Sequence, residues 1–147
     1  MSINEVQDEI IEEFGLLAGD RESTIFYIME LGQKLEALPE EHQIDDNLIK
    51  GCQSKVWLVT KFEGGKVFFH ADSNTDITKG LISILIRVLS GRTTAEIQQA
   101  DLYFIEKIGM NNVIGSQRSN GFAAMIKQMK LFAFAYQAKA ASEQSSN

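Results

Sequence analysis

Residues 55–70, KVWLVTKFEGGKVFFH, have the pattern of a β-hairpin. The run from Lys55 to Phe62 is rich in valine, tryptophan, leucine and threonine, the run from Val67 to Phe69 is also strand-like, and both favour extended backbone. The four residues between them, Glu63-Gly64-Gly65-Lys66, allow a tight turn because glycine tolerates positive φ. We therefore predict two antiparallel strands in the middle of the chain.

Helical patterns lie on both sides of this hairpin. Before it, the spacing predicts one helix over residues 3–17 and a second from the cap Asp20 to Leu38, followed by a polar connection over residues 40–50. After it, Asp72-Ser73-Asn74 is expected to cap an apolar helix that ends at Gly91, and Thr93 and Glu96 have capping-box spacing for a helical region ending near Gly109. A long last helix is predicted to begin at Ser119 or Asn120. Because helices and strands are segregated along the chain, the predicted class is α+β.

Length and composition limit what this chain can be. With 147 residues, 44% of them hydrophobic and 23% charged, it fits one globular domain, which we place at residues 1–141, with a small, polar, disordered tail at 142–147. The apolar run from Gly80 to Ile86 is too short to cross a bilayer, so no membrane association is expected. Residues 1–13 are acidic, unlike a signal peptide, and we expect a cytoplasmic protein.

The net charge of −6 conceals an uneven distribution. Residues 1–46 contain 13 acidic and 2 basic side chains, a net charge of −11, whereas the other 101 residues contain 12 basic and 7 acidic ones, a net charge of +5. An acidic first third would repel phosphate backbones, so we do not expect a nucleic-acid partner. It is either a solvated helix surface or a docking surface for a basic partner protein.

Only one residue is a strong candidate for chemistry. Cys52 is the single cysteine, in a predicted loop with Gly51, Gln53 and Ser54, and a lone thiol excludes an internal disulfide and a cysteine-rich metal site. A cysteine hydrolase would need His42 or His70 as its base, and nothing in the sequence links either to Cys52. No metal-ligand spacing and no phosphate-binding glycine motif is present, so neither a metal nor a cofactor is expected. For the thiol itself, inert packing and a reactive role both remain open.

The loop resembles a known family. Gly51-Cys52-Gln53-Ser54-Lys55-Val56-Trp57-Leu58 is similar to the cysteine loop of the SufE/CsdE sulfur acceptors. Three further segments agree with that family in order and spacing: Glu30 to Leu35, Asp72-Ser73-Asn74 with Lys79-Gly80-Leu81, and Arg118-Ser119-Asn120-Gly121. The resemblance covers residues 10–136. It implies a fold like that of the IscU-type scaffolds, with a three-stranded antiparallel sheet, and we infer the third strand around residues 47–49.

The resemblance also implies a function that is not itself enzymatic. Cys52 would take persulfide sulfur from a SufS-like, pyridoxal-phosphate-dependent cysteine desulfurase, stimulate that enzyme, and pass the sulfur to an iron–sulfur scaffold such as a SufBCD-like complex. Arg118 would support the thiolate, fix the start of the last helix or contact the partner. Asn74 departs from the family, which commonly has an acid there. The alternative is a non-catalytic adaptor that docks through the acidic N-terminal helices, with Cys52 incidental.

Overall fold

The predicted hairpin forms in the computed structural model, which describes residues 1–145. Strand β1 (Val56–Glu63) pairs antiparallel with β2 (Lys66–Ser73). The turn residues Gly64 and Gly65 have φ values of +60° and +77°, which a two-residue hairpin of this hand requires. A third strand makes a sheet of order β1-β2-β3, and helices pack around it, so the α+β class and the three-stranded sheet are confirmed.

The third strand is not where we inferred it. It is β3 (Arg92–Thr93), which pairs with Lys66 and Val67 of β2. At the inferred position, Leu48 forms only an isolated bridge with Trp57. A 3₁₀ turn over Asp45–Asn47 comes directly before it, so too little extended chain is left for a strand.

Helices α1 (Ile3–Gly15) and α2 (Arg21–Gln33) precede the sheet. The predicted Ser2 capping box and Asp20 cap are both present. Helix α2 nevertheless ends before Leu38, the predicted end. The backbone N–H of Leu38 donates to the buried carboxylate of Asp72 at 3.0 Å, which requires the chain to leave the helix. A 3₁₀ turn over Glu40–His42 follows.

Helix α3 (Asp76–Leu89) follows the hairpin, with Thr75 as its N-cap residue and no side-chain cap. The prediction that Asp72, Ser73 and Asn74 cap this helix is therefore wrong. Asp72 and Ser73 are still in β2, and the Asp72 carboxylate accepts from backbone groups outside the helix. After β3, the predicted capping box of Thr93 opens α4 (Thr94–Gln99), and α5 (Phe104–Ile108) ends at Gly109.

The last helix, α6 (Met110–Ser145), is interrupted at Gly115, where φ is +83° and ψ is +170°. This break, not a cap at Ser119 or Asn120, begins the long final segment, and both of those residues lie inside the helix. The helix continues through residues 142–145, part of the predicted tail, where glutamate and glutamine favour helix. Ser146 and Asn147 lie outside the described residues. Within residues 1–145, no helix is both long and apolar enough to cross a membrane.

Two glycines let α2 and α3 pack with their backbones in contact. A Cβ atom added to Gly80 would lie 1.9 Å from the carbonyl oxygen of Ile28, and one added to Gly32 would lie 2.5 Å from the carbonyl oxygen of Asp76. The apolar side of α3 faces the sheet and α6, and its Leu81, Leu85 and Val88 are at most 1% exposed. The core therefore depends on a crossing that admits no side chain.

Replacing Gly80 by alanine should destabilise the protein. The new methyl group would meet backbone atoms of Ile28, which do not move independently, so we expect a loss of about 2 kcal/mol or more in the free energy of unfolding. Urea denaturation measures this loss. Gly15→Ala is the matched control, because among the described residues no atom outside its chain neighbours and its own helix backbone lies within 4 Å of the added Cβ. Equal stability of the two variants would contradict the proposed close contact.

A charged cluster joins α1 to α3. Arg87 donates to Glu13 at 2.7 and 2.9 Å and to Glu9 at 2.9 Å, and the Tyr27 hydroxyl donates to Glu13 at 3.0 Å. The hydrogen bonds from Arg87, followed by the one from Tyr27, hold the pKa of Glu13 below its ordinary value of 4.5 despite partial burial. Charged Glu13 therefore stabilises the folded state.

The contribution of Glu13 should depend on pH. A carboxylate with a lowered pKa in the folded state stabilises fully above its ordinary value of 4.5, and loses this effect as the pH falls through the lowered pKa. The difference in unfolding free energy between the wild type and Glu13→Gln should be largest near neutral pH and shrink below pH 4.5. Urea titrations at several pH values test this. Glu12→Gln, at an exposed position of the same helix, is the matched control, and an equal pH dependence in the two variants would contradict the prediction.

Candidate functional site

Cys52 lies in a short loop between the 3₁₀ turns and β1. Gly51, directly before it, has a φ of +94°, a conformation that side-chain-bearing residues rarely adopt. An added Cβ there would also approach the Ala124 methyl of α6 to 3.3 Å. Glycine therefore lets the loop turn closely against the last helix, and the turn brings Cys52 beside α6.

The residues after Cys52 are bound to the segment that leads into α3. The side chain of Asn74 accepts a hydrogen bond from the backbone N–H of Lys55 at 3.0 Å, and the Asn74 N–H donates to the Lys55 carbonyl at 3.3 Å. The Thr75 hydroxyl donates to Ser54 Oγ at 3.1 Å. These contacts extend the hairpin register beyond the last strand pair, Val56 with Ser73. They hold the loop at its β1 end only.

The thiol faces a cavity of about 530 Å³. Three elements form its wall: the beginning of α2, the beginning of α3 and the part of α6 around its break. Its lining residues are Arg21, Cys52, Gln53, Ser54, Thr75, Ile77, Thr78, Leu81, Ile114, Gly115, Ser116, Gln117, Arg118, Gly121 and Met125. The buried side chains of Leu81, Ile114 and Met125 make part of this wall apolar.

Cys52 is partly buried and packs against the hydrophobic core. Its Sγ atom lies 3.5 Å from the carbonyl oxygen of Gly121, to which the thiol donates. Gly121 is buried directly against it, since a Cβ there would lie 3.5 Å from Sγ. Burial raises the pKa of the Cys52 thiol above its ordinary value. The resting thiol is therefore protonated near neutral pH and a poor nucleophile.

Among residues 1–145, two arginines and no acidic residue line the cavity. Arg118 lies one turn before Gly121 on α6 and donates from Nη1 to the Ile114 carbonyl at 3.5 Å. Arg21 begins α2 and lies on another side of the same cavity. Both side chains are exposed, so they carry positive charge at the cavity mouth, where it would meet an anionic partner group.

Most of the predicted site residues lie together. Cys52, Gln53, Ser54 and Arg118 line one cavity, and Gly51 lies outside its wall. Sequence reasoning missed Arg21, for which no local signal exists because helix packing brings it to the site. Asn74 was expected to cap a helix and instead holds the loop.

Neither histidine lies at the thiol. His42 and His70 are exposed and line a different cavity from Cys52, so neither is placed to activate the thiol. Within the part of the chain that the structure describes, no three metal-ligating side chains of histidine, cysteine, aspartate or glutamate cluster together.

The chain has relatives among known proteins. The profile of the SufE family, described as an Fe–S metabolism associated domain, matches residues 8–133. An uncharacterized SufE-like protein of Rhizobium etli is 38% identical over 128 residues, which cover 84% of this chain and 86% of the relative. The sulfur acceptor protein CsdE of Escherichia coli is 36% identical over 100 residues, covering 67% of this chain and 68% of CsdE.

The fold has a counterpart among solved structures. The solution structure of a hypothetical protein from Thermus thermophilus aligns with a TM-score of 0.73 over 90% of this chain and 96% of that one. Its sequence identity is 17%, so the likeness concerns the fold. The family assignment comes from the profile and the sequence relatives, whose matches include the cysteine loop within residues 8–133. The chain belongs to the SufE family.

Proposed function

We propose that this protein is a sulfur acceptor in Fe–S metabolism, which carries sulfur as a persulfide on Cys52. The observation that carries the proposal is the setting of its single thiol: a loop cysteine, half-buried beside a cavity with two arginines at its mouth. CsdE, a related protein, is itself named a sulfur acceptor. No metal or cofactor of its own is needed for transfer between sulfur atoms.

The proposed step is an exchange at sulfur. The Cys52 thiolate attacks the terminal sulfur of a persulfide on a cysteine desulfurase, a Cys52 S–S bond forms, and the S–S bond in the desulfurase breaks. The desulfurase cysteine leaves as a thiolate and takes up the proton that Cys52 lost. One sulfur atom moves, and no external oxidant or reductant is required.

The cavity suits storage of the transferred atom. A persulfide adds one sulfur atom to Cys52, and about 530 Å³ beside the thiol is ample room for it. Leu81, Ile114 and Met125 give the cavity an apolar wall, while Arg21 and Arg118 would balance the charge of an ionised persulfide. The terminal sulfur would thus be held away from solvent thiols until an acceptor approaches.

We propose a SufS-like, pyridoxal-phosphate-dependent desulfurase as the donor, which this protein stimulates, and a SufBCD-like complex as the downstream scaffold. Because Cys52 rests partly buried, the loop must move outward for its sulfur to reach another active site. Gly51 provides the backbone freedom for this movement, and the contacts of Ser54 and Lys55 with the start of α3 are the ones to be broken. Stimulation would follow from removal of the desulfurase persulfide after each turnover.

The adaptor alternative is less well supported. In this alternative Glu9, Glu12 and Glu13 dock the partner, and the carboxylates of Glu9 and Glu13 are bound by Arg87. This local neutralisation reduces the field that these two residues present to a partner. An adaptor would also give no reason for the arginine-lined cavity beside the thiol.

Persulfide formation is directly measurable. After incubation with cysteine and a SufS-type desulfurase, intact-mass spectrometry should show the chain heavier by one sulfur atom, and a reducing agent should reverse the gain. Cys52→Ser should show no gain and should not stimulate the desulfurase. A wild-type protein that stimulates without any adduct, or a Cys52→Ser variant that stimulates fully, would favour the adaptor.

Loop opening should control the reactivity of the thiol. Asn74→Ala removes the acceptor for the Lys55 N–H, so we expect alkylation of Cys52 by iodoacetamide at pH 8 to accelerate roughly three- to tenfold, the equivalent of one hydrogen bond. Asn74→Asp keeps an acceptor oxygen and should react like the wild type. In urea, the raised pKa disappears, and all three proteins should react faster at pH 8 and at equal rates. If Asn74→Ala and the wild type are alkylated at the same rate under native conditions, Asn74 does not hold the loop closed.

A further inference from the structure

A second cavity lies away from the thiol. Its volume is about 450 Å³, and it runs along β2 between the later part of α3 and the segment that follows α2. Its lining residues are Leu35, Glu36, Ala37, Leu38, Pro39, His42, Val59, Phe69, His70, Ala71, Ile86 and Ser90. Most of them are apolar, and Cys52 is not among them, so the proposed sulfur transfer does not use this cavity.

The floor of this cavity is an incompletely paired strand. Strand β3 pairs only with Lys66 and Val67, and beyond it the Ser90 hydroxyl accepts from the Phe69 N–H at 2.9 Å. Backbone groups of alternate residues point to the same side of a strand. The Phe69 C=O and both backbone groups of Ala71 therefore point away from β1, toward the cavity.

These groups are unpaired and lie at the cavity. Phe69 and Ala71 line it with 1% and 2% of their surface exposed, and within residues 1–145 the Phe69 C=O and the Ala71 N–H and C=O have no hydrogen-bond partner. Unpaired backbone groups along a strand are a template for pairing with another chain. A ligand that brings its own amide groups would supply these hydrogen bonds, as an added strand does at a sheet edge.

The segment that borders the cavity is strongly acidic, and we call it the acidic wall; of its acidic residues, Glu36 lines the cavity itself. Residues 35–46, LEALPEEHQIDD, contain five acidic residues and no lysine or arginine. All five carboxylates are exposed: Glu36, Glu40, Glu41, Asp45 and Asp46. None of them forms an ion pair with lysine or arginine in the described chain. This surface complements positive charge.

We propose that this cavity binds an extended, basic segment of a partner protein. The segment would place an apolar side chain among Leu35, Val59 and Ile86, pair its backbone with Ala71, and lay lysine or arginine side chains against the acidic wall. The apolar contact and the backbone pairing supply affinity, and the charges select the partner. This inference does not rest on sulfur chemistry at Cys52 and would give the protein a second contact surface.

A synthetic peptide tests the proposal. The probe is an eight-residue peptide of alternating lysine and valine with blocked ends, and its counterpart has glutamate in place of lysine. With the ¹⁵N-labelled full chain, the lysine peptide should shift the Ala71 amide resonance saturably and slow its hydrogen exchange at least tenfold. The glutamate peptide should do neither. No saturable change with the lysine peptide, or equal changes with both, would overturn the proposal.

Surface variants locate the binding site. Ala37→Trp fills the cavity from an exposed position and should weaken peptide binding at least tenfold, whereas Ala95→Trp, exposed on α4 away from the cavity, should leave peptide affinity within twofold of the wild type.

Reversing the charge of Glu36, Glu40 and Glu41 to lysine should weaken peptide binding similarly. Its matched control reverses Glu12, Glu22 and Glu106, which are exposed on other helices and change the net charge equally. If a variant and its control lose peptide affinity equally, the loss comes from net charge or from stability, and the proposed site is contradicted.

Two further measurements separate the outcomes. If sedimentation shows a concentration-dependent dimer that Ala37→Trp abolishes, a second copy occupies the cavity and the proposal of a basic partner is wrong. Sulfur loading of Cys52 by a desulfurase should be unchanged in Ala37→Trp if the surface serves another partner segment. If the wild type is not loaded with sulfur, the persulfide proposal is rejected, whereas the result of the peptide-binding experiment still stands.

Discussion

The backbones of α2 and α3 are in contact at Gly32 and Gly80, and this contact determines where the functional loop lies. A side chain at either position would overlap backbone atoms of the facing helix. Because the atoms that meet Gly32 belong to Asp76 and Lys79 as well as Gly80, the crossing fixes the first turn of α3. That turn follows directly from Asn74 and Thr75, which bind the loop of Cys52. The position of the thiol thus follows from the packing of two helices to which it does not belong.

A second constraint comes from α6. Its break at Gly115 separates the first turns of the helix from the long segment that carries Arg118 and Gly121. Gly121 is buried against Cys52, and its carbonyl accepts from the thiol. Helix α6 therefore supplies both the wall that buries the sulfur atom and one of the two cations at the cavity mouth. The loop is held by α3 on one side and covered by α6 on the other.

Local patterns predicted the parts of this arrangement that depend on neighbours in sequence. Gly64 and Gly65 specified the hairpin, and the two capping boxes at Ser2 and Thr93 are present. The hairpin register, counted outward from the turn, places residue 55 opposite residue 74. The sequence therefore contained a signal for the hydrogen bond between Lys55 and Asn74. Asparagine is also a common helix cap, and this local preference predicts the wrong role for Asn74.

The errors arose where distant contacts override local preference. Helix α2 stops early because the Leu38 N–H binds Asp72, a residue 34 positions away. The third strand consists of two residues, too short for periodicity to detect, and forms because the turn at Gly91 returns the chain beside β2. Arg21 reaches the cavity through the packing of α2, and its sequence neighbours give no hint of this. The composition of residues 1–46 predicted an acidic surface. It did not indicate that Arg87 binds two of the carboxylates on that surface. Nor did it indicate that, in the described chain, the carboxylates of residues 36–46 form no ion pair with lysine or arginine.

The buried thiol presents a conflict for a sulfur carrier, and its setting indicates how the conflict is resolved. Exchange at sulfur is fastest when the attacking thiol has a pKa near the ambient pH, yet burial moves the pKa of Cys52 upward. At rest the thiol is therefore slow to react with adventitious oxidants and disulfides. A partner that draws the loop outward removes the burial and with it the cause of the shift, so reactivity would be confined to the complex. Because the chain has no second cysteine, a persulfide formed there would have no internal thiol to attack it, and its sulfur atom would leave only to an external thiol or another protein.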